Sequence, residues 1–203
     1  MLADQSNNTL DELSKGQLAA GSANIAAPNI VISSSDSNLD GPNFIAFDKA
    51  GNAWVDNEAG NTIAEFSKSQ LASGGSKLAT VVLSDDGSGT SISEPGEIAF
   101  DKNGNLWVPN YGAHTVVEYA KGQLASSGNP APTVKLNSAV LAGEGPFSAV
   151  FDSKGDLLVM DYLDGTIAKF AASQLKTSGA PVPKVIVTGS VYQNYQIIFG
   201  PAS

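Results

Sequence analysis

Residues 96–124 read GEIAFDKNGNLWVPNYGAHTVVEYAKGQL, and this stretch decides the fold. Glu97–Phe100 is a short segment typical of a strand, and the Asn-Gly step in the turn that follows suits the positive backbone angles of a tight hairpin. Leu106–Val108 resumes as a second strand after that turn. Thr115–Tyr119, with its β-branched and aromatic residues, reads as a third strand. The stretch therefore predicts three consecutive antiparallel strands.

The residues after this stretch predict a fourth strand. Lys121–Ser126 has the character of a single helical turn, and Thr133–Leu136 is a further strand. Apolar residues come in runs of three to five broken by Gly, Asn and Pro, and do not recur every three to four positions, which excludes a helical solenoid. Four short antiparallel strands in one unit make one blade of a β-propeller.

This unit is repeated along the whole chain, as two independent anchors indicate. A Gln-Leu pair recurs at spacings of 53, 53 and 51 residues, beginning at Gln17, Gln70, Gln123 and Gln174. A run of the form apolar-apolar-Phe-Asp recurs at spacings of 53 and 51, at Ile45–Asp48, Ile98–Asp101 and Ala149–Asp152. A fixed period in this range is typical of propellers and related arrays. The predicted fold class is therefore an all-β propeller with four-stranded antiparallel blades.

The two ends of the chain predict a split blade. Asn8–Leu13 matches Asn61–Phe66, so the chain begins inside a blade, and Gln196–Phe199 matches a first strand. A first strand from the C-terminus and the remaining strands from the N-terminus would complete one blade and remove two sheet edges. We therefore predict a single propeller domain over 1–203, with repeats at 1–40 together with 188–203, 41–93, 94–144 and 145–187.

Three complete blades plus one split blade are compatible with more than one way of closing the ring. One chain can close a four-bladed ring, or two chains can exchange the split blade head to tail and form an eight-bladed homodimer. A chain cut from a longer propeller is the third alternative.

Composition restricts the partners. The chain has 20 acidic and 11 basic residues and a formal net charge of −9, and it has no cluster of Lys and Arg to neutralise phosphates, so nucleic acid and anionic membranes are not expected partners. No apolar run approaches the ~18 residues of a membrane helix. The absence of Cys excludes disulfides, Cys-zinc sites and thiol nucleophiles. Low charge and abundant small polar residues favour an exported bacterial protein, extracellular or periplasmic, with a cytoplasmic one as the alternative.

Two aligned stretches carry a resemblance to a known group of propellers. GPNFIAFDKAGNAWVDNEAGNTIAEF, beginning at Gly41, and EPGEIAFDKNGNLWVPNYGAHTVVEY, beginning at Glu94, resemble the NHL-repeat propellers of bacterial secreted proteins. The wider relatives are the streptogramin-lyase-like and gluconolactonase-like propellers. The resemblance covers nearly the whole chain but rests on turn and core residues, so it implies the fold and leaves the function open.

Candidate ligand-binding residues lie where the units differ. The same first-strand position holds Phe44, Glu97, Ser148 and Gln196, while the next two positions stay apolar in every unit. Because first strands line the central channel of a propeller, this variable ring is predicted to face a ligand. The alternative is that the four residues fill differently shaped gaps between blades.

A candidate metal site follows from the resemblance. Glu144, in Glu-Gly-Pro, is similar to the glutamate that opens a first strand and binds a divalent metal in gluconolactonase-like proteins. Asn43 and Asn194 are the nearest candidates for that family's other ligands. Oxygen ligands of this kind suit Ca²⁺ or Mg²⁺. The alternative is a solvated acidic loop with no cofactor.

The remaining polar residues are predicted to have structural roles in turns. His114 aligns with Asn61 and Gly165 in a hairpin turn, so we predict that it is a turn residue. Because the sequence has no second His, a zinc site built from several His residues is excluded. Asp85–Gly89 reads as a solvated turn, without the ligand spacing of a calcium loop. One position at the end of every second strand is Asn or Asp, and we expect these side chains to hold turns by bonding backbone N–H groups two residues on: Asp4, Asn57, Asn110 and Asp161.

Two functions remain. The favoured one is a non-catalytic module of a bacterial exported protein that binds a protein, peptide or carbohydrate across one face, where Tyr111 and Tyr162 lie in equivalent loops. The alternative is a lactonase-like hydrolase in which Glu144 helps to hold a divalent ion that polarises a carbonyl.

Overall fold

The computed structural model describes residues 1–19, 27–34, 36, 38–143, 145–163, 165–188 and 197. Its strands are β1 (Leu2–Asp4), β2 (Thr9–Glu12), β3 (Ile30–Ser34), β4 (Pro42–Phe47), β5 (Ala53–Asn57), β6 (Thr62–Phe66), β7 (Gly75–Lys77), β8 (Val81–Ser84), β9 (Ala99–Phe100), β10 (Leu106–Asn110), β11 (Thr115–Tyr119), β12 (Val134–Leu136), β13 (Pro146–Phe151), β14 (Leu157–Asp161), β15 (Ile167–Phe170) and β16 (Val185–Val187). A short α-helix, Lys15–Ala19, and 3-10 turns at Gln70–Ala72, Lys121–Ala125, Ala139–Leu141 and Ala172–Leu175 connect them.

The strands form four four-stranded sheets, one for each predicted blade. Blades 2, 3 and 4 are antiparallel meanders in the orders β4-β5-β6-β8, β9-β10-β11-β12 and β13-β14-β15-β16. Blade 1 consists of β1, β2 and β3, with β7 of the second repeat on its outer edge. The predicted all-β architecture of four-stranded blades is confirmed.

The Phe-Asp anchor recurs because its aspartate holds the first hairpin of blades 2, 3 and 4. In blade 3 the Asp101 carboxylate accepts hydrogen bonds from the backbone N–H groups of Asn103, at 2.8 Å, and Asn105, at 2.9 Å. Gly104 supplies the left-handed residue of the turn, with φ +88°. Asp48 and Asp152 hold the corresponding turns of blades 2 and 4 in the same way.

The Gln-Leu anchor recurs because it ties two parts of a blade together. Gln123 Oε1 accepts a hydrogen bond from the Ala120 N–H at 2.8 Å, and its Nε2 donates to the Ala131 carbonyl at 2.7 Å. The same two bonds are made by Gln17, Gln70 and Gln174. The adjacent Leu124 is buried in the core shared with blade 2. One residue of the anchor therefore fixes the turn, and the other packs on the preceding blade.

Adjacent blades pack through three apolar cores, between blades 1 and 2, 2 and 3, and 3 and 4. Trp54 of blade 2 meets Phe100 of blade 3 edge to face at 6.0 Å between ring centroids. Trp107 of blade 3 meets Phe151 of blade 4 in the same way at 5.9 Å. Burial of these large side chains is the main stabilising contribution to the blade interfaces.

A feature that the sequence analysis missed is parallel pairing between blades. Ile32 on the outer strand of blade 1 pairs with Gly75, which follows the Gln-Leu turn of blade 2. Leu83 pairs with Gly128, and Leu136 pairs with Gly179, in the same arrangement. The outer edge of each of these three blades is therefore covered by the next one along the chain, which protects it from aggregation.

The closure of the ring lies largely outside the described residues. The predicted first strand at Gln196–Phe199 is described only at Ile197, whose N–H donates to the Ser148 hydroxyl at 3.0 Å. This contact places Ile197 beside the first strand of blade 4. The choice between a four-bladed ring and a blade-exchanged dimer stays a prediction at this point.

One position in the third strand of each blade is acidic in three blades and basic in the fourth. Glu118 faces Asp101 across blade 3, and burial together with that neighbouring carboxylate raises the pKa of Glu118. In blade 4 the equivalent residue is Lys169, which forms ion pairs with Asp152 at 2.7 Å and Asp156 at 3.1 Å. The acidic arrangement of blade 3 is therefore the less stable one at neutral pH.

Replacing Glu118 with Lys, as in blade 4, should stabilise the protein at neutral pH. Because the folded-state pKa of Glu118 is raised, its contribution to stability is present below its ordinary pKa of 4.5 and is lost as the pH rises through the folded-state value. The variant removes this loss and adds a pair with Asp101. After discounting for solvent screening, we expect about 1 kcal/mol at pH 7, or roughly 2–4 °C in the unfolding midpoint.

Thermal unfolding at pH 4 and pH 7 checks this prediction. Glu118→Gln is the matched control, since it removes the acidic charge without adding a cation and should give only part of the gain. The explanation would be contradicted if the gain in unfolding midpoint of Glu118→Lys over the unmodified chain were no larger at pH 7 than at pH 4.

Candidate functional site

The candidate site is a cavity of about 330 Å³ at the end of the blades where the first strands begin. Each blade contributes the residue that directly follows its second strand, and these four equivalent residues are Gln5, Glu58, Tyr111 and Tyr162. Asn43 and Phe147, from the first strands of blades 2 and 4, complete the lining. The repeat therefore brings one variable side chain from every blade to a single place.

One side of this mouth cavity is aromatic. The rings of Tyr111 and Tyr162 meet edge to face at 5.8 Å, and each also meets Phe147, at 6.2 and 5.1 Å. Phe147 also contacts Phe44 edge to face at 5.7 Å. The two tyrosines are half-buried, whereas Phe147 is buried. These contacts fix the rings against each other, so the apolar wall is in place before any ligand arrives.

The other side is polar. The carboxylate oxygen Oε2 of Glu58 accepts hydrogen bonds from Gln5 Nε2 at 3.3 Å and from Asn43 Nδ2 at 3.2 Å. These three side chains come from blades 1 and 2, opposite the tyrosines of blades 3 and 4. The cavity thus combines an aromatic wall with a carboxylate and two amides, as expected of a small-molecule site.

Buried asparagines hold the loops that carry the site residues. Asn110, which is fully buried next to Tyr111, accepts a hydrogen bond from the Ser93 N–H at 3.1 Å and donates one to the Ser91 carbonyl at 3.1 Å. Asn57, next to Glu58, makes the equivalent bonds to the segment before β4. These side chains are structural, as predicted, but they bond a segment 17 to 19 residues earlier in the chain and not the backbone two residues on.

The turn residues also match their prediction. His114 has φ +54°, close to Asn8 at +54° and Asn61 at +51°, in the hairpin between the second and third strands. Asn61 Oδ1 accepts a hydrogen bond from the Glu94 N–H of the next blade at 2.7 Å. Burial alone would raise the pKa of the Asp85 carboxyl, but hydrogen bonds from the Ser91 hydroxyl and from the backbone N–H groups of Gly89 and Ser91 lower it below its ordinary value.

The predicted ligand ring is only partly brought together. Ser148 donates a hydrogen bond to the Glu97 carboxylate, and their strands form a parallel bridge. Phe44 contacts Phe147 below the mouth cavity, and Gln196 lies outside the described residues. Ser148 is fully buried, so its hydroxyl joins neighbouring first strands. A direct role of these four positions in ligand binding stays a prediction.

A buried carboxyl lies beneath the mouth. Asp56 is fully buried in β5, and its Oδ1 accepts a hydrogen bond from the Phe44 N–H at 3.0 Å. Its Oδ2 has no hydrogen-bond partner in the part of the chain that the structure describes. Burial raises the pKa of Asp56 well above its usual range, and the carboxylates of Glu97 and Glu58 raise it further. Its burial therefore disfavours the charged form of the carboxyl.

The metal prediction falls mainly on residues that are not described. Glu144 and Asn194 both lie outside the described residues, and Asn43 donates its amide hydrogen to Glu58. Within the described ranges, no group of three or more His, Asp or Glu side chains is arranged to hold a metal ion. The metal site, and the hydrolase that depends on it, stay predictions.

Two larger clefts lie between blades, of about 470 Å³ beside Trp107 and about 710 Å³ beside Trp54. They occupy equivalent places between blades 3 and 4 and between blades 2 and 3. Both are lined by the Phe-Asp hairpin, which recurs in three repeats, and by the Gln-Leu turn, which recurs in all four. Because repeated core and turn residues line them, we attribute these clefts to blade packing. The mouth cavity differs because its lining changes from blade to blade.

The sequence matches no family model and no curated protein. Solved structures are nevertheless similar. A catalytically inactive virginiamycin B lyase from Staphylococcus aureus, solved with quinupristin, is 13% identical with a TM-score of 0.50 over 66% of this chain and 39% of that chain. The chain is a β-propeller. The propeller also superposes on hydrazine synthase from Kuenenia stuttgartiensis, 13% identical with a TM-score of 0.56, over 77% of this chain and 38% of that one.

A third similar structure is the extracellular domain of the putative hybrid two-component system BT4673 from B. thetaiotaomicron. It is 17% identical, with a TM-score of 0.51, and the match covers 74% of this propeller and 18% of that chain. The propeller thus spans about two fifths or less of the length of these proteins, and the likeness concerns the fold alone. No helix within the described ranges has the length and apolar character needed to cross a membrane.

Proposed function

We propose that this propeller is a non-catalytic binding module of a bacterial exported protein and that it binds a neutral carbohydrate in the mouth cavity. The observation that carries the proposal is the lining of that cavity, with Tyr111 and Tyr162 opposite the carboxylate of Glu58 and the amides of Gln5 and Asn43. The NHL-type repeat and the exported location belong to the same proposal and rest on the sequence patterns.

The aromatic wall supports a saccharide because a sugar ring has an apolar face of C–H groups. Such a face packs on a tyrosine ring, whose π-face carries partial negative charge. Tyr111 and Tyr162 lie 5.8 Å apart and are half-buried, so they have little side-chain freedom left to lose on binding.

The polar wall supports the hydroxyl groups of the same ligand. The carboxylate of Glu58 accepts hydrogen bonds, and the amides of Gln5 and Asn43 both donate and accept them. Hydrogen bonds to an ionised carboxylate are stronger than neutral ones. The same carboxylate, on a chain of net charge −9, disfavours sulfated or phosphorylated ligands. A neutral oligosaccharide therefore fits both walls better than an anionic one.

A glycan array probed with the labelled protein tests the proposal. We expect binding to neutral oligosaccharides, and we expect Tyr111→Ala or Tyr162→Ala to weaken it by about tenfold to a hundredfold, as for an aromatic residue central to an interface. Phe47→Ala is the matched control, since this aromatic side chain is 52% exposed and lies outside the mouth cavity. Absence of any glycan binding, or equal loss in the control, would refute the carbohydrate proposal.

A further inference from the structure

The face of blade 4 that points away from blade 3 is not covered by the part of the chain that the structure describes. Val187 on the outer strand β16 is 54% exposed. Its equivalents in blades 1, 2 and 3 are Ile32, Leu83 and Leu136, and each of them is 0% exposed. Val185 is 44% exposed, whereas its equivalents Val81 and Val134 are buried. Apolar side chains that are core residues in three blades are therefore surface residues in the fourth.

The opposite face of blade 1 is uncovered as well. Leu18 of the first Gln-Leu anchor is 66% exposed, whereas Leu71, Leu124 and Leu175 at the same place in the other blades are 8 to 9% exposed. Leu2 is 55% exposed, and its equivalents are fully buried: Val55, Val108 and Val159. The first and last blades thus each expose one apolar face.

The three interfaces between blades within the chain show which kind of surface packs on each exposed face. Leu71 of blade 2 packs in the core that contains Ile32 of blade 1. Leu124 of blade 3 packs in the core that contains Leu83, and Leu175 of blade 4 packs in the core that contains Leu136. The partner that the repeat specifies for Val187 is therefore a leucine in the place of Leu18, from a face like that of blade 1.

The outer backbone edge of β16 indicates the same partner. Ile32, Leu83 and Leu136 each pair in parallel with a glycine of the next blade, at Gly75, Gly128 and Gly179. The strand β16 has no such pairing within the described residues. An unpaired edge next to an exposed apolar face is a site where another chain can add.

The described residues of blade 1 do not cover this face, because Leu18 and Val187 are both exposed. We infer that a second copy of this chain docks head to tail, with the Leu2 and Leu18 face of each copy on the Val185 and Val187 face of the other. Two copies then form one closed eight-bladed ring with two-fold symmetry, and both interfaces are equivalent. This inference does not rest on the ligand proposed for the mouth cavity.

Sedimentation velocity of the purified chain between about 1 and 100 μM tests the inference, because the population of a dimer depends on the protomer concentration. We expect twice the mass of one chain. Leu18→Asp and Val187→Asp should each give the mass of one chain, with a dissociation constant raised at least a hundredfold. Val182→Asp is the control, since Val182 is 80% exposed and belongs to neither face, and it should leave the mass unchanged.

Mixing the two monomeric variants gives the decisive result. The Leu18→Asp copy keeps an intact blade 4 face, and the Val187→Asp copy keeps an intact blade 1 face, so one native interface can form between them. An equimolar mixture should therefore recover the doubled mass. A single-chain mass for the unmodified protein at 100 μM, a doubled mass for either variant alone, or no recovery in the mixture would overturn the inference.

Discussion

Replacing Gly96 with alanine is expected to lower the free energy of unfolding by about 2–3 kcal/mol, the upper part of the range of about 1–3 kcal/mol for inserting an atom into a well-packed region. A methyl group on Gly96 would lie 2.2 Å from the carbonyl oxygen of Phe147 and 2.9 Å from its carbonyl carbon. The obstacle is backbone and cannot rotate away. The first strands of blades 3 and 4 would have to separate, which would break the 2.7 Å hydrogen bond from the Glu97 N–H to the Phe147 carbonyl.

Gly122→Ala is the matched control for this prediction. Gly122 lies in the 3-10 turn Lys121–Ala125, and an added methyl group would meet no atom within 4 Å. Chemical denaturation should give an unchanged or slightly higher midpoint for Gly122→Ala, because alanine loses less backbone entropy on folding than glycine, and a clearly lower midpoint for Gly96→Ala. Equal midpoints for the two variants would mean that the first strands do not approach as closely as the structure has them.

Replacing Asn110 with alanine should cost about 2 kcal/mol, because a buried group that loses its hydrogen-bond partner costs roughly 1–3 kcal/mol. The change removes the acceptor of the Ser93 N–H and the donor to the Ser91 carbonyl. The buried Ser91 carbonyl keeps the hydrogen bond from the Tyr119 hydroxyl at 2.9 Å, so the Ser93 N–H is the group left without its partner. The loop that carries Tyr111 would lose its attachment to the segment before the first strand.

Asn103→Ala is the control for the asparagine prediction. Asn103 is exposed in the first hairpin of the same blade, and its backbone N–H, which the substitution keeps, makes the bond to Asp101. We expect a change within about 0.5 kcal/mol for this surface position. If denaturation midpoints fall equally for the two variants, the buried asparagine is not the main support of the loop.

The fold could be predicted because its determinants are local and repeated. The Phe-Asp and Gln-Leu anchors are visible in sequence since each makes hydrogen bonds inside its own repeat, as Asp101 and Gln123 do. The parallel pairing through Gly75, Gly128 and Gly179 was missed because it joins different repeats and uses residues that carry no side-chain pattern.

The candidate site was harder to predict. Tyr111 and Tyr162 stood out in the sequence as aromatic residues in equivalent loops, but Glu58 and Gln5 at the same place in the other blades did not. The signal that could have found them was the alignment itself: a position that varies directly after the constant Asn or Asp of every second strand. Asn43 and Phe147 join the site because the first strands begin at the same end.

The central claim is that the mouth cavity binds the ligand, and tyrosine-ring NMR of the ¹³C-tyrosine protein tests it most directly. The protein would be titrated with a neutral oligosaccharide selected on the array. We predict that the ring signals of Tyr111 and Tyr162 shift with the same binding constant, while those of Tyr119, which is fully buried in the core of blades 2 and 3, stay in place. Binding that leaves both Tyr111 and Tyr162 unshifted would contradict the account.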